Sequence, residues 1–259
     1  MEIPFYQIDA FANEVFRGNP AGVCLLDEWL EDEILQSIAA ENNLSETAFL
    51  VQKENYYDLR WFTPKIEIDL CGHATLASGY VIFQYITPGL EQVEFKSKSG
   101  NLSVIKRDDL FFLDFPSRKP VPCKKPDGID EILGQTPLEV LASRDLFAVF
   151  EDEEIIKKMN PDFDAISQLD YTAVIVTAPG KNSDFVSRFF APKVGIPEDP
   201  VTGSAHCTLI PYWAERLNKK ELLAFQLSER GGELFCANME DRTAIGGRAV
   251  TYLSGTIYI

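Results

Sequence analysis

One motif occurs twice in this chain, and a chain that repeats a strand, a loop, a glycine and a helix in the same order is committed to building two like domains. In the first half Arg60-Trp61-Phe62-Thr63-Pro64-Lys65 leads to Cys71-Gly72-His73-Ala74-Thr75. In the second, Arg188-Phe189-Phe190-Ala191-Pro192-Lys193 leads to Thr202-Gly203-Ser204-Ala205-His206. Both read R-x-F-x-P-K, then a glycine and a small polar run. The arginine-to-glycine separation is 12 residues in the first copy and 15 in the second, so the repeat carries a three-residue insertion. It extends upstream: Glu46-Thr47-Ala48-Phe49-Leu50-Val51 starts 14 residues before Arg60, and Tyr171-Thr172-Ala173-Val174-Ile175-Val176 starts 17 before Arg188. A match across three elements in order outweighs a compositional likeness between apolar strands.

Two domains need two cores, and 259 residues with 46% hydrophobic and 12% aromatic content supply them. The 24 basic residues are outnumbered by 40 acidic ones, for a net charge of −16. That balance argues against a nucleic-acid partner, which needs a basic face. A small anion is still admissible, because exposed charge is screened and a site is governed by its nearest donors. Five widely spaced cysteines without a C-x-x-C pair fit free thiols in a reducing compartment. With neither a secretory leader pattern nor an apolar run of about 18 residues, the expectation is a cytoplasmic protein without a membrane partner.

Along the chain, residues 3–10 read as a strand, 17–22 as a turn before a strand at 23–26, and 32–40 as a helix with Ile34, Leu35 and Ile38 at helical spacing. Strands follow at 46–52 and 57–63. The helix from His73 is apolar nearly all round and is expected to be enclosed by strands. Strands at 91–97, 101–106 and 110–115 come next. Pro116, Pro120, Pro122 and Pro126 then mark a linker. It divides the chain into domains 1–116 and 117–259, with the C-terminal strand free to return to the first. The second half repeats the plan, with strands at 146–150, 171–177 and 184–190, and a helix from Ser204 whose Pro211 should kink it.

Gly72 and Gly203 each stand where a Pro-containing loop enters a helix, so unpaired N–H groups and the positive end of the helix dipole point outward. A pair of such ends facing a shared cleft would clamp a carboxylate. The chain's two histidines, His73 and His206, both lie beside these glycines. His73 is the better placed for chemistry, and His206, a turn into its helix, reads as packing. A metal site built from Cys71, His73, His206 and Cys207 is disfavoured by spacing, which lacks the usual ligand bite. For acid/base work the best carboxylate is Glu46, opening an otherwise apolar strand at the position where the other half has Tyr171. The competing reading is an ordinary strand-end surface glutamate. Asp199, just ahead of Gly203, is a further candidate.

The runs Arg17-Gly18-Asn19-Pro20-Ala21, Asn43-Leu44-Ser45-Glu46-Thr47-Ala48-Phe49, Arg60 to Pro64, Cys71 to Thr75 and Asp199-Pro200-Val201-Thr202-Gly203-Ser204-Ala205 together resemble the phenazine-biosynthesis (PhzF-like) family, over residues 1 to about 215. The resemblance implies an α+β, diaminopimelate-epimerase-like fold of two similar domains, each a strand barrel around a central helix, with the site between them. It also implies a cofactor-independent isomerase in which Glu46 shuttles a proton. His73, Asp199 and Ser204 would line the site, and the Gly72 and Gly203 loops would hold a substrate carboxylate. A homodimer is plausible by the same analogy.

One departure bears on mechanism. Related epimerases and proline racemases carry a cysteine at each glycine motif. Here Cys71 has Thr202 as its repeat mate, and a hydroxyl is far too weak an acid to serve as the second base at neutral pH. The expectation is therefore a proton shift by Glu46 on a small carboxylate. A cysteine-dependent racemase or epimerase using Cys71, and a catalytically idle binding protein of the same fold, remain as alternatives.

Overall fold

A computed structural model describes residues 1–259 and divides them into two compact units, Met1–Asp114 with Gly246–Ile259, and Phe115–Ile245. In the first, β1 (Glu2–Ala10) and β2 (Asn19–Leu26) pair antiparallel. Helix α1 (Asp32–Asn42) then leads to β3 (Glu46–Gln52), parallel to β2, and β4 (Tyr57–Phe62) pairs antiparallel with β3. A two-residue strand β5 (Glu67–Ile68) precedes helix α2 (Gly72–Val81). The meander β6 (Gln92–Ser97), β7 (Gly100–Arg107) and β8 (Leu110–Pro116) follows.

The second unit repeats this order. After β9 (Val121–Pro122) and α3 (Ile129–Leu133), β10 (Glu139–Ala142) and β11 (Leu146–Val149) pair antiparallel, as β1 and β2 do. Helices α4 (Glu153–Lys158) and α5 (Phe163–Ser167) take the place of α1. Strand β12 (Val174–Pro179) runs parallel to β11, and β13 (Phe185–Phe190) antiparallel to β12. Helix α6 (Gly203–Leu217) matches α2, and β14 (Glu221–Gln226), β15 (Gly232–Met239) and β16 (Arg242–Gly247) match the meander. The last strand, β17 (Ala249–Tyr258), returns to the first unit and pairs antiparallel with β1 from Glu2↔Tyr258 to Ala10↔Ala249.

Burial follows from this layering. All of β3 from Glu46 to Val51 is buried, because α1 covers one face and α2 the other, which is why it reads as a continuous apolar run rather than an alternating one. Leu35, Ile38 and Ala39 of α1 pack on Phe5, Phe49 and Phe62. Helix α2 contacts β1, β2, β3, β7 and β17 and buries every residue from His73 to Gly79, as expected of a helix wrapped by strands. In the second unit α3, α4 and α5 cover a separate core that includes Ile129, Ile156, Ile166, Val174 and Phe190.

One local expectation changes. Residues 19–22 belong to β2 rather than to a turn, with Pro20 paired opposite Asp9. Helix α6 runs on through Pro211 without ending. A proline N has no hydrogen to donate to the carbonyl four residues back, and that carbonyl, Cys207 O, accepts the Arg118 N–H at 2.8 Å instead. The backbone group that Pro211 leaves open thus fastens the segment before β9 to α6.

The tightest approach of α2 to a strand is at Gly79, where an added Cβ would lie 2.7 Å from Cγ1 and 2.8 Å from Cβ of the buried Val104 on β7. Gly79→Ala should therefore destabilise the protein by about 1–2 kcal/mol despite alanine's better helix propensity. In a urea-denaturation double-mutant cycle, Val104→Ala should recover part of that loss. Strict additivity of the two changes would show that this contact is not what excludes a side chain.

Candidate active site

The repeated arginine positions each glycine. Arg60 Nε and Nη2 donate to Glu67 Oε1 and Oε2 at 2.8 and 2.9 Å, and Arg188 makes the same two bonds to Glu198 at 2.6 and 2.8 Å. Each guanidinium also lies over a motif phenylalanine, 5.1 Å from the Phe62 ring and 4.9 Å from that of Phe190. Glu67 and Glu198 both stand five residues before their glycine, so the three-residue insertion falls between the Pro-Lys pair and the glutamate. Each fork fixes the point from which the loop turns into its helix, and the fork to Arg60 holds Glu67 down to about 2.

Both helices begin with their anion-binding end unoccupied by protein. Neither Cys71 nor Thr202, at the N-caps of α2 and α6, makes a side-chain cap, and neither first turn carries an acidic residue. Every other α-helix has Asp or Glu in its first turn, and α4 and α5 are also capped by Asp152 and Asp162. In so acidic a chain, α2 and α6 keep their N–H groups and positive dipole ends for something other than their own side chains.

The start of α2 carries the reactive groups. Glu46, first residue of β3 and only 7% exposed, places Oε2 3.0 Å from His73 Nε2. This is a close charge contact rather than an aligned hydrogen bond. On the other side of the ring, Nδ1 lies 3.5 Å from Cys71 Sγ. Burial alone would depress His73, but the negative charge available at Cys71 and Glu46 outweighs it and holds the imidazole well above its ordinary 6.5. Burial, reinforced by the Glu46 charge, pushes the Cys71 thiol up. Thiol, imidazole and carboxylate thus stand in a row, each beside the next.

The second glycine site is built from different groups. Asp199 Oδ2 accepts from Thr202 Oγ1 at 2.5 Å, and Gln226, 1% exposed, ties the loop together. Its Oε1 accepts the Thr202 N–H at 2.9 Å and its Nε2 donates to Asp199 O at 2.8 Å. Ser204 Oγ accepts from Arg144 Nη2 at 3.2 Å. His206 donates Nδ1–H to Thr202 O at 2.8 Å, and burial lowers it to about 4, so it is a neutral packing residue. Cys207 likewise turns back to Gly203 O.

The four soft side chains first weighed as metal ligands therefore have different surroundings. Only Cys71 and His73, joined by Glu46, bring donor atoms within 4.8 Å of one another. A metal there would have to displace protons that burial and the Glu46 charge hold on the thiol and imidazole. Arg144 and Gln226 were not anticipated. Gln226 had one sequence signal, a polar side chain ending the apolar strand Leu222 to Phe225, and Arg144 had none.

Folds of this kind, a strand barrel around a helix in each of two domains, are shared with epimerases. A hydroxyproline epimerase from Agrobacterium vitis superposes with a TM-score of 0.61 at 9% identity, covering 99% of this chain and 92% of the other, which establishes the diaminopimelate-epimerase-like fold. The chain belongs to the phenazine biosynthesis-like protein family, whose model matches residues 8–255. A PhzF-family phenazine biosynthesis protein from Enterococcus faecalis is 50% identical with a TM-score of 0.98, covering all of both chains. Uncharacterized isomerases of Pseudomonas aeruginosa and Halalkalibacterium halodurans are 49% and 46% identical, each matched over the whole of both chains. The protein is an isomerase of this family. No helix is long and apolar enough to cross a membrane.

The charge contact has a pH signature. Because His73 is raised above its unfolded value, the stability it draws from Cys71 and Glu46 together is complete below about pH 6.5 and is lost as pH rises through the folded-state value. Glu67 behaves oppositely, its contribution being present above about pH 4.5 and lost as pH falls through about 2. In an NMR titration the His73 ring should stay protonated above pH 6.5, and Glu46→Gln should lower its midpoint. An unmoved midpoint would remove Glu46 as the cause.

Proposed function

We propose that this protein shifts a proton on a small carboxylate-bearing substrate without a cofactor, with Glu46 as the acid/base. The observation that carries this reading is the buried contact between Glu46 and His73 at the start of α2. Beside His73, the Glu46 side chain is placed to take a proton from a C–H bond acidified by a neighbouring carboxylate or double bond. The resulting carboxylic acid returns the proton to another carbon of the same substrate, so proton and charge balance within one turnover. The free N–H groups at Gly72 hold the substrate carboxylate. Asp199, Gly203 and Ser204 form the corresponding glycine site of the second domain, where Thr202, whose hydroxyl is bonded to Asp199, orients that residue.

A second reading has a specific support, the 3.5 Å approach of Cys71 Sγ to His73 Nδ1. Transfer of the thiol proton to a neutral His73 would give a thiolate base of the racemase type. Burial and the nearby carboxylate oppose that thiolate, which favours Glu46.

Proton NMR in D2O with a panel of unsaturated and amino carboxylates separates the readings. Wild type should exchange a C–H of at least one compound, Glu46→Gln should lose about 100-fold or more of that rate, and Cys71→Ser should keep most of it. Loss in Cys71→Ser with retention in Glu46→Gln would reverse the assignment. Equal exchange by wild type and Glu46→Gln would sink the glutamate mechanism.

A further inference from the structure

The donor atoms at the start of α2 come from two elements. Cys71, the N-cap, and His73, in the first turn, are supplied by the helix, and Glu46 reaches them from β3, against which α2 packs. Spacing along the helix yields only two ligands, which is why the sequence reads poorly as a metal site, and the strand adds the third. His73 Nε2 lies 3.0 Å from Glu46 Oε2 and 4.0 Å from Cys71 Sγ, and the three donor groups fall within 4.8 Å of one another. A tetrahedral zinc ion, with bonds of about 2.0–2.3 Å, holds its ligand atoms about 3.3–3.7 Å apart. The observed separations straddle that range, so side-chain adjustments of about an ångström close the three donors on one centre.

Two further observations point to a cation. Glu46 is 7% exposed and its Oε2 receives no aligned hydrogen bond, so a buried oxygen with lone pairs to give is left facing the ring. The Ala74 N–H bonds to Cys71 Sγ, and such a donor favours a thiolate over a thiol. Charge is also balanced. A thiolate and a carboxylate neutralise a divalent ion and a neutral imidazole adds nothing, so the loaded site carries no net charge in a place where an unbalanced one would be costly. With Cys71 and His73 each 6% exposed, the group is buried without being sealed. The equivalent pair in the other unit is arranged differently: His206 Nδ1 and Cys207 Sγ bond to the carbonyls of Thr202 and Gly203, and no acidic side chain completes a donor set with them.

We propose that Glu46, Cys71 and His73 form a binding site for a thiophilic divalent ion of the zinc class, with a fourth position open to water, and that occupancy arrests the proton shift. On binding, the ion takes the place of the protons on Cys71 and His73, which pass to solvent. The donor set selects the ion: thiolate with imidazole suits Zn2+ and Co2+, whereas Mg2+ and Ca2+ seek oxygen ligands and gain little from it. The arrest rests on the reading of Glu46 as the acid/base, because a carboxylate bonded to a metal is not available to take up a proton.

Metal binding is measured on the full chain without substrate. After removal of metal by chelator, isothermal titration with Zn2+ should show one site of about micromolar affinity or tighter, and Mg2+ should show none. Co2+ in its place should develop thiolate-to-cobalt charge-transfer absorption. Cys71→Ser should abolish that absorption, and Glu46→Gln and His73→Gln should each weaken Zn2+ binding about tenfold or more. Cys123→Ser, at a half-buried thiol of the other unit, should change neither readout. Circular dichroism checks that the variants fold, and the wild-type cobalt spectrum decides even where one does not. Failure to bind Zn2+, a cobalt complex without the thiolate band, or a band that survives Cys71→Ser or vanishes in Cys123→Ser overturns the site. In D2O, saturating Zn2+ should stop wild-type exchange and EDTA should restore it, and exchange that continues at saturating Zn2+ overturns the arrest. Absence of exchange in metal-free wild type counts against the proton-shift reading alone, so the two failures appear in different measurements.

Discussion

The arginine–glutamate fork, made once in each domain, is the constraint on which the rest depends. A glycine can open a helix toward a ligand only if the loop delivering it is held still relative to the strand and helices around it. Arg60 answers this by gripping Glu67 while also reaching Asp32 at the start of α1 at 2.9 Å. Arg188 grips Glu198 while donating to Ile156 O and Met159 O at the end of α4. In both domains the covering helices, the strand and the glycine loop are thereby locked to one guanidinium. Removing Glu198 would leave Arg188 without a carboxylate partner, whereas Arg60 and Glu67 would each keep a second partner in Asp32 and Lys98.

Upon this common frame the two glycine sites diverge. The first is titratable: a carboxylate, an imidazole and a thiol in mutual contact, with the histidine held protonated by its neighbours. The second is a polar lattice in which Gln226, Asp199 and Thr202 satisfy one another and the only histidine is neutral and buried. Duplication supplied two helix starts, and the side chains around them differ, titratable at the first and mutually satisfied at the second. Thr202 stands where a second thiol would be needed for symmetric chemistry, and its hydroxyl is already committed to Asp199.

Much of this was legible in the sequence because it resided in local pattern. The duplicated run exposed the repeated domain plan, the unbroken apolar character of α2 announced a helix enclosed by strands, and an isolated glutamate opening an apolar strand marked Glu46. The one misreading has a plain cause. Pro20 is a breaker by local rule, but β2 takes it within its pairing with β1. Arg144 and Asp145 are adjacent in a turn that looks like any other. Only the fold sets Arg144 against Ser204, 60 residues away, and no periodicity or spacing encodes a meeting of that kind.

The pairing of β1 with β17 has a consequence for how the chain is made. The second domain is continuous, from Phe115 to Ile245, and all its strands are available as soon as that stretch has left the ribosome. The first domain is synthesised earlier, yet its opening strand, paired with β2 on one side, lacks its partner on the other until residues 249–258 emerge. Until then β1 presents an unpaired edge, the kind of surface on which strands of other chains add. The unit that carries Glu46 and His73 is thus closed by a strand that follows the whole of the other unit in sequence.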